Sequence, residues 1–140
     1  MMGKSITFVI EGLAKGKGRP RFRSTGKFVQ TYTDKETATW ENFVRLSYIN
    51  SGGEKLSGCL SVKIASYFPI PKTISKKKRE ILKYKPFPHK PDADNLAKSI
   101  LDSLNNIAFD DDMQVTRLEI EKVYSEFART VVTITELTEE

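Results

Sequence analysis

The stretch Lys90-Pro91-Asp92-Ala93-Asp94-Asn95-Leu96-Ala97-Lys98-Ser99-Ile100-Leu101-Asp102-Ser103-Leu104-Asn105-Asn106 combines a turn, a helix and a charged face in one run. Leu96, Ile100 and Leu104 recur at four-residue steps, which predicts a helix that buries one stripe and ends near Asn105-Asn106. Asp92 or Asp94 stands at its start, where a carboxylate complements the helix dipole. Asp94, Lys98 and Asp102 fall at i, i+4 and i+8, so they share another face.

Outward from this helix the pattern is mixed. Ser5 to Glu11 alternates as a strand, with Ile6, Phe8 and Ile10 on one side. Gly12 to Tyr32, rich in Gly, Lys and Arg, reads as a long loop or irregular hairpin. Thr33 or Asp34 can cap a second amphipathic helix running from Glu36 to about Ser51, with Trp40, Phe43, Val44 and Ser47 at helical steps and Gly52-Gly53 as its stop. Leu60 to Phe68 alternates again. Ser75 to about Tyr84 reads as a short helix carrying Lys76-Lys77-Lys78-Arg79, and Lys85 to Pro91 as turns. After the Asp92 helix, Thr116, Leu118 and Ile120 alternate in one strand and Val132 and Ile134 in another, with Ser125 to Arg129 as the turn between them. Glu139-Glu140 ends a tail expected to fray. The expectation is an α/β chain of the α+β kind. It is a single domain over residues 1–140, with a mixed sheet of about four strands and two main helices in the order β-α-β-(α)-α-β-β.

The 140 residues suffice for one core without disulfides or structural metal. With 39% hydrophobic and 29% charged residues the composition is that of a soluble globular protein. No apolar run approaches the roughly 18 residues needed to span a bilayer, and Ser5 to Ile10 is too short for a signal peptide, so a cytoplasmic location is expected. One cysteine, Cys59, and one histidine, His89, exclude an internal disulfide and a typical zinc site. Charge is polarised along the chain: residues 1–91 carry a net +13 and residues 92–140 a net −8, within a total of +5. The basic part suits a polyanion whose counterions are released on binding.

Two acidic groups dominate the remainder, Asp92 with Asp94 and Asp110-Asp111-Asp112. Carboxylates about 4 Å apart repel by about 4 kcal/mol at an effective dielectric near 20, a large fraction of a stability of about 5–15 kcal/mol. A cluster of them therefore needs a cation or a proton. All-oxygen ligation is the preference of Mg²⁺, for which Mn²⁺ can substitute, and such an ion promotes phosphodiester hydrolysis by water. The helix between the groups is about 18 Å long, and a six-residue return from Asn106 to Asp111 can span about 20 Å, so convergence is feasible.

The residues also admit plain roles. Asp92 and Asp94 can cap a helix, Asp110 to Asp112 can form an exposed turn, and Asp94, Lys98 and Asp102 can be a surface salt-bridge ladder worth tenths of a kcal/mol per step. A calcium loop of the EF-hand kind is disfavoured, because Ala97 stands where glycine is required counting from Asp92. Lys15-Gly16-Lys17-Gly18-Arg19-Pro20-Arg21-Phe22-Arg23 is the expected phosphate-gripping loop. Phe22, Phe28 and Tyr32 are placed either to stack on a splayed base or to pack in the core. The Lys76 to Arg79 run is a secondary contact or a solvated face.

The run from Lys90 through Lys98, then Asp102, then Asp111-Asp112-Met113-Gln114-Val115, resembles the signature of the RusA-type Holliday junction resolvases, small endodeoxyribonucleases common in prophages. The resemblance implies a homodimer that binds branched DNA, specifically four-way junctions, and makes paired nicks with Mg²⁺ in recombination and repair. It implies that Asp92, Asp94 and Asp112 hold the metal, with Asp111 as an acidic neighbour and possible further ligand, and that Lys98 is the catalytic lysine. Some members carry several arginines before the first aspartate; here His89-Lys90-Pro91 precedes it, which leaves Lys90 beside Lys15, Lys17, Arg19, Arg21 and Arg23 as the expected DNA contacts. Asn95 can position a water or hydrogen-bond the helix start, and Asp102 is expected to partner Lys98 rather than the metal. Symmetric cutting needs two active sites, and a two-fold dimer supplies the second. Two other readings stay open: a Mg²⁺ nuclease for flaps or single strands, and a non-catalytic DNA-binding accessory protein.

Overall fold

A computed structural model describes residues 2–17, 21–25, 28–32 and 35–138; the side chains of Met2 and of residues 18–34 lie outside this description. In chain order the elements are β1 (Met2–Glu11), β2 (Arg21–Thr25), β3 (Phe28–Tyr32), α1 (Lys35–Asn50), β4 (Cys59–Pro69), α2 (Lys76–Leu82), α3 (Ala93–Leu104), a single 3₁₀ turn (Asp112–Gln114), β5 (Val115–Ser125) and β6 (Arg129–Leu137). The α+β expectation holds, with a mixed four-stranded sheet in the order β1-β6-β4-β5 and a separate β2-β3 hairpin.

Alternation places the core. Phe8 and Ile10 of β1, Leu60, Val62, Ile64 and Phe68 of β4, and Val132 and Ile134 of β6 are buried on one face of the sheet. Helices α1 and α3 pack there together, α1 through Trp40, Val44 and Tyr48, α3 through Leu96, Ile100 and Leu104. Burying each α3 anchor contributes about 1.5–3 kcal/mol, against tenths for a surface ion pair. The apolar stripe therefore holds α3 in place, and its charged face is left for other work.

One expected connection is corrected. The short segment from Ser125 to Arg129 reads as a hairpin turn, yet β5 and β6 do not pair; β4 lies between them, parallel to β5 and antiparallel to β6. The segment instead crosses the end of β4, where Ile70 N donates to Ser125 O at 3.1 Å and Gly12 N to Ala128 O at 3.2 Å. The reason is burial: every second residue of β4 is buried over its whole length, whereas β5 is exposed for most of its first half, so β4 takes the middle and β5 the edge. The Gly12 to Tyr32 region is resolved toward the hairpin alternative, with Arg21 opposite Tyr32 and Thr25 opposite Phe28.

Candidate active site

Asp92 is the N-cap residue of α3, but its side chain makes no capping hydrogen bond, so the plain capping role is not the one it plays. Asp94 lies in the first turn. Asp92, Asp94 and Asn95 are exposed, and among the described residues none of their side chains has a hydrogen-bond or ion-pair partner. Their backbone is held firmly. Lys122, on the inward face of β5, donates from Nζ to the carbonyl oxygens of His89 at 2.7 Å and Pro91 at 2.6 Å, which fixes the turn just ahead of Asp92.

The segment 13–17 runs along the first turns of α3. Lys17 N donates to Asn95 O at 2.8 Å. A Cβ on Gly16 would stand 3.0 Å from Pro91 Cβ and 3.1 Å from Asn95 Cβ, so glycine permits this close approach. Ser99 is the buried knot behind it: its Oγ accepts from Trp40 Nε1 at 3.0 Å and lies 2.9 Å from Lys15 O, tying α1, α3 and the basic segment together.

The second acidic group arrives by a tight return. Asn106 takes a left-handed conformation, φ 68°, immediately past α3, and Ala108 and Phe109 are fully buried beneath it. Those anchors shorten the return, and Asp112 comes within electrostatic reach of Lys98 and Asp102 on α3. Its three carboxylates have separate employments. Asp110 pairs with Lys55 at 2.8 Å. Asp111 caps the 3₁₀ turn, accepting from Met113 N at 2.9 Å, while Gln114 Oε1 accepts from the Asp111 backbone N at 3.1 Å. Asp112 is the one left over. Burial raises its carboxyl above the usual carboxylate range, reinforced by a hydrogen bond and negative charge from Asp111 and by the charge of Asp102, with Lys98 opposing.

Lys98 approaches Asp102 at 3.6 Å and remains 62% exposed, so it is restrained yet free to reach outward. Asp102 also receives Lys17 at 3.4 Å, and Lys17 is bound to Glu41 at 2.8 Å. Lys17 thus points into this network rather than toward solvent. Lys15 is half exposed with a loose 3.8 Å pairing to Glu36, and Lys90 is exposed without a side-chain partner among the described residues. Arg19 lies outside the described residues, as do the side chains of Arg21, Arg23, Phe22, Phe28 and Tyr32. Lys76 to Arg79 form the start of α2, capped by Ser75, where Arg79 contacts Glu126 at 3.6 Å.

The structure therefore gathers Asp112, Asp111, Asp102 and Lys98, and leaves Asp92 and Asp94 on the N-terminal turn of the same helix. Among the described residues no three His, Cys, Asp or Glu side chains are grouped closely enough to ligate one ion. The chemistry of the donors still suits a hard cation: Asp92, Asp94 and Asp112 are oxygen donors that make no salt bridge among the described residues.

Lys122, Ser99 and Gly16 are structural contributors that motif reading overlooks. For Lys122 the signal was present, a lysine continuing the alternation of Leu118 and Ile120. For Ser99 and Gly16 nothing in the local pattern marks a partner distant in sequence.

The family model described as Endodeoxyribonuclease RusA matches residues 11–135. The chain is 33% identical over 138 residues to "Uncharacterized protein YqaN" of Bacillus subtilis (strain 168), covering 94% of this chain and 96% of that protein.

Proposed function

Since this chain belongs to the Endodeoxyribonuclease RusA family, we propose that it is a Mg²⁺-dependent, structure-selective endonuclease that resolves four-way DNA junctions by paired symmetric nicks, acting as a homodimer in recombination and repair. The observation that carries the reading is the pair of carboxylates at the start of α3, Asp92 and Asp94, without side-chain partners among the described residues, on the same helix as a Lys98 that Asp102 restrains. Among the described residues no helix is long and apolar enough to cross a membrane, in keeping with work on DNA in the cytoplasm.

Asp92, Asp94 and Asp112 would hold the divalent ion, Mg²⁺ or in its place Mn²⁺. When bound, such an ion polarises a phosphoryl oxygen and makes water a better nucleophile. Lys98 sets its ammonium against the charge that develops on the phosphate. Asp102 restrains Lys98, and Lys17 with Glu41 restrains Asp102, so the lysine is positioned by a chain of ion pairs. Asp111 holds the turn that carries Asp112 by accepting from Met113 N. Lys15, Lys90 and the arginines at 19, 21 and 23 supply cations for the DNA backbone.

The test is a matched set of four-way junction, flap, duplex and single-stranded substrates, each with and without Mg²⁺. Paired nicks on the junction that require Mg²⁺ are expected. Preference for the flap or the single strand would replace the resolvase reading, and binding without cleavage of any substrate would leave an accessory protein.

A further inference from the structure

We propose that the cleft beside Asp92 seats one unpaired nucleotide of the strand being cut, next to the scissile phosphate, and so decides which base is preferred at the cleavage point. This rests on the nuclease reading above. The cleft, of about 820 Å³, is formed by the segment 13–17, the end of β4 and the turn leading into α3. That volume lies within the roughly 300–1,000 Å³ of ligand sites, ample for a nucleoside with water.

Its lining discriminates between the parts of DNA. The inner wall is apolar, made by buried Ala14 and Phe68 with Pro69, Pro71 and Phe87. A phosphodiester gains nothing against such a wall, whereas the faces of a base do. The rim is polar. Asn95 offers a donor and an acceptor with no partner among the described residues, the combination that reads a base edge, and the exposed His89 also lines the cleft. Lys15 and Lys90 complete the rim with cations for the flanking phosphates.

Position ties the cleft to the chemistry. Asp92 belongs both to its lining and to the candidate metal-binding set, so a nucleotide held here has its own phosphate at the site of hydrolysis. The cleft is also preformed. Lys122 pins the His89 and Pro91 carbonyls on one side, and the Lys17 N to Asn95 O hydrogen bond with the close approach of Gly16 fixes the other. A seat with rigid walls selects by shape and edge pattern rather than adapting to each base.

The experiment maps the nicks made by the wild-type protein, then binds Asp94→Asn protein to junctions carrying 2-aminopurine singly at each position around the nick. A several-fold rise in fluorescence at one position adjoining the nick is expected, because the base leaves its stack there. Leu13→Trp, at an exposed rim position, should place its indole across the cleft and remove that rise while junction affinity persists. Asn95→Ala should flatten the base preference of cleavage. No fluorescence change at any adjoining position, or a rise that survives Leu13→Trp with an unaltered preference in Asn95→Ala, would overturn the proposal while the nuclease reading stands. A wild-type protein that nicks no DNA would remove both together.

Discussion

The two acidic segments contain the same residue type in similar density, and the structure uses them oppositely. Asp92 and Asp94 are anchored through backbone alone, by Lys122 on the preceding turn and by the first turn of α3, and their carboxylates are left without partners among the described residues. In the second segment two carboxylates are consumed, Asp110 by Lys55 and Asp111 by the cap of the 3₁₀ turn, and only Asp112 is left, crowded by like charge. Acidic density alone therefore does not tell these carboxylates apart. The surrounding hydrogen bonds and ion pairs do, since a carboxylate already satisfied gives up that bond to bind anything else.

Substitutions within this pair of segments should separate spent from unspent oxygens. The largest effect is expected for Asp94→Asn: junction nicking should fall at least about a hundredfold, roughly 2.7 kcal/mol of transition-state stabilisation, with junction binding by gel shift retained. Loss of binding in parallel would make Asp94 a fold or contact residue. Lys98→Ala should lower single-turnover cleavage about ten- to a hundredfold with little change in junction Kd; equal losses would reduce it to a phosphate contact. Asp111→Ala should cost stability, about 1 kcal/mol in urea unfolding, through the lost cap.

Asp112→Asn should act in the other direction on the metal-free protein. A carboxyl raised in the folded state favours its protonated form, so the advantage is full at low pH and is lost as pH rises above 3.8 through the folded-state value. The substitution should thus stabilise at neutral pH and make no difference near the acid limit, as thermal unfolding at several pH values will show. Asp110→Ala is the smallest change, below about 0.5 kcal/mol, because its partner Lys55 is itself 48% exposed.

Much of this architecture is legible in the linear pattern. The period of Leu96, Ile100 and Leu104 gives α3 with its end at Asn105 and Asn106, and alternation gives β1, β4 and β6 to within a few residues. The β5 to β6 connection is not, because a three-residue gap looks the same whether the flanking strands pair or a third strand lies between them. The site divides likewise. Asp92, Asp94, Lys98 and Asp112 stand out by residue type and spacing, but the separate duties of Asp110 and Asp111, and the enrolment of Lys17 by Glu41 and Asp102, depend on partners far away in the chain.

The amino-acid sequence by itself determined most of the helices and strands outside the Gly12 to Tyr32 region, which face of α3 is apolar, and that carboxylates and cations are segregated along the chain, since period and composition are local properties. Only the tertiary structure decided that β4 is central, that Asp112 docks beside Lys98 and Asp102, and that a cleft opens next to Asp92. Each of these depends on contacts between residues distant in sequence, where burial of apolar surface selects one arrangement among many that the same local pattern permits.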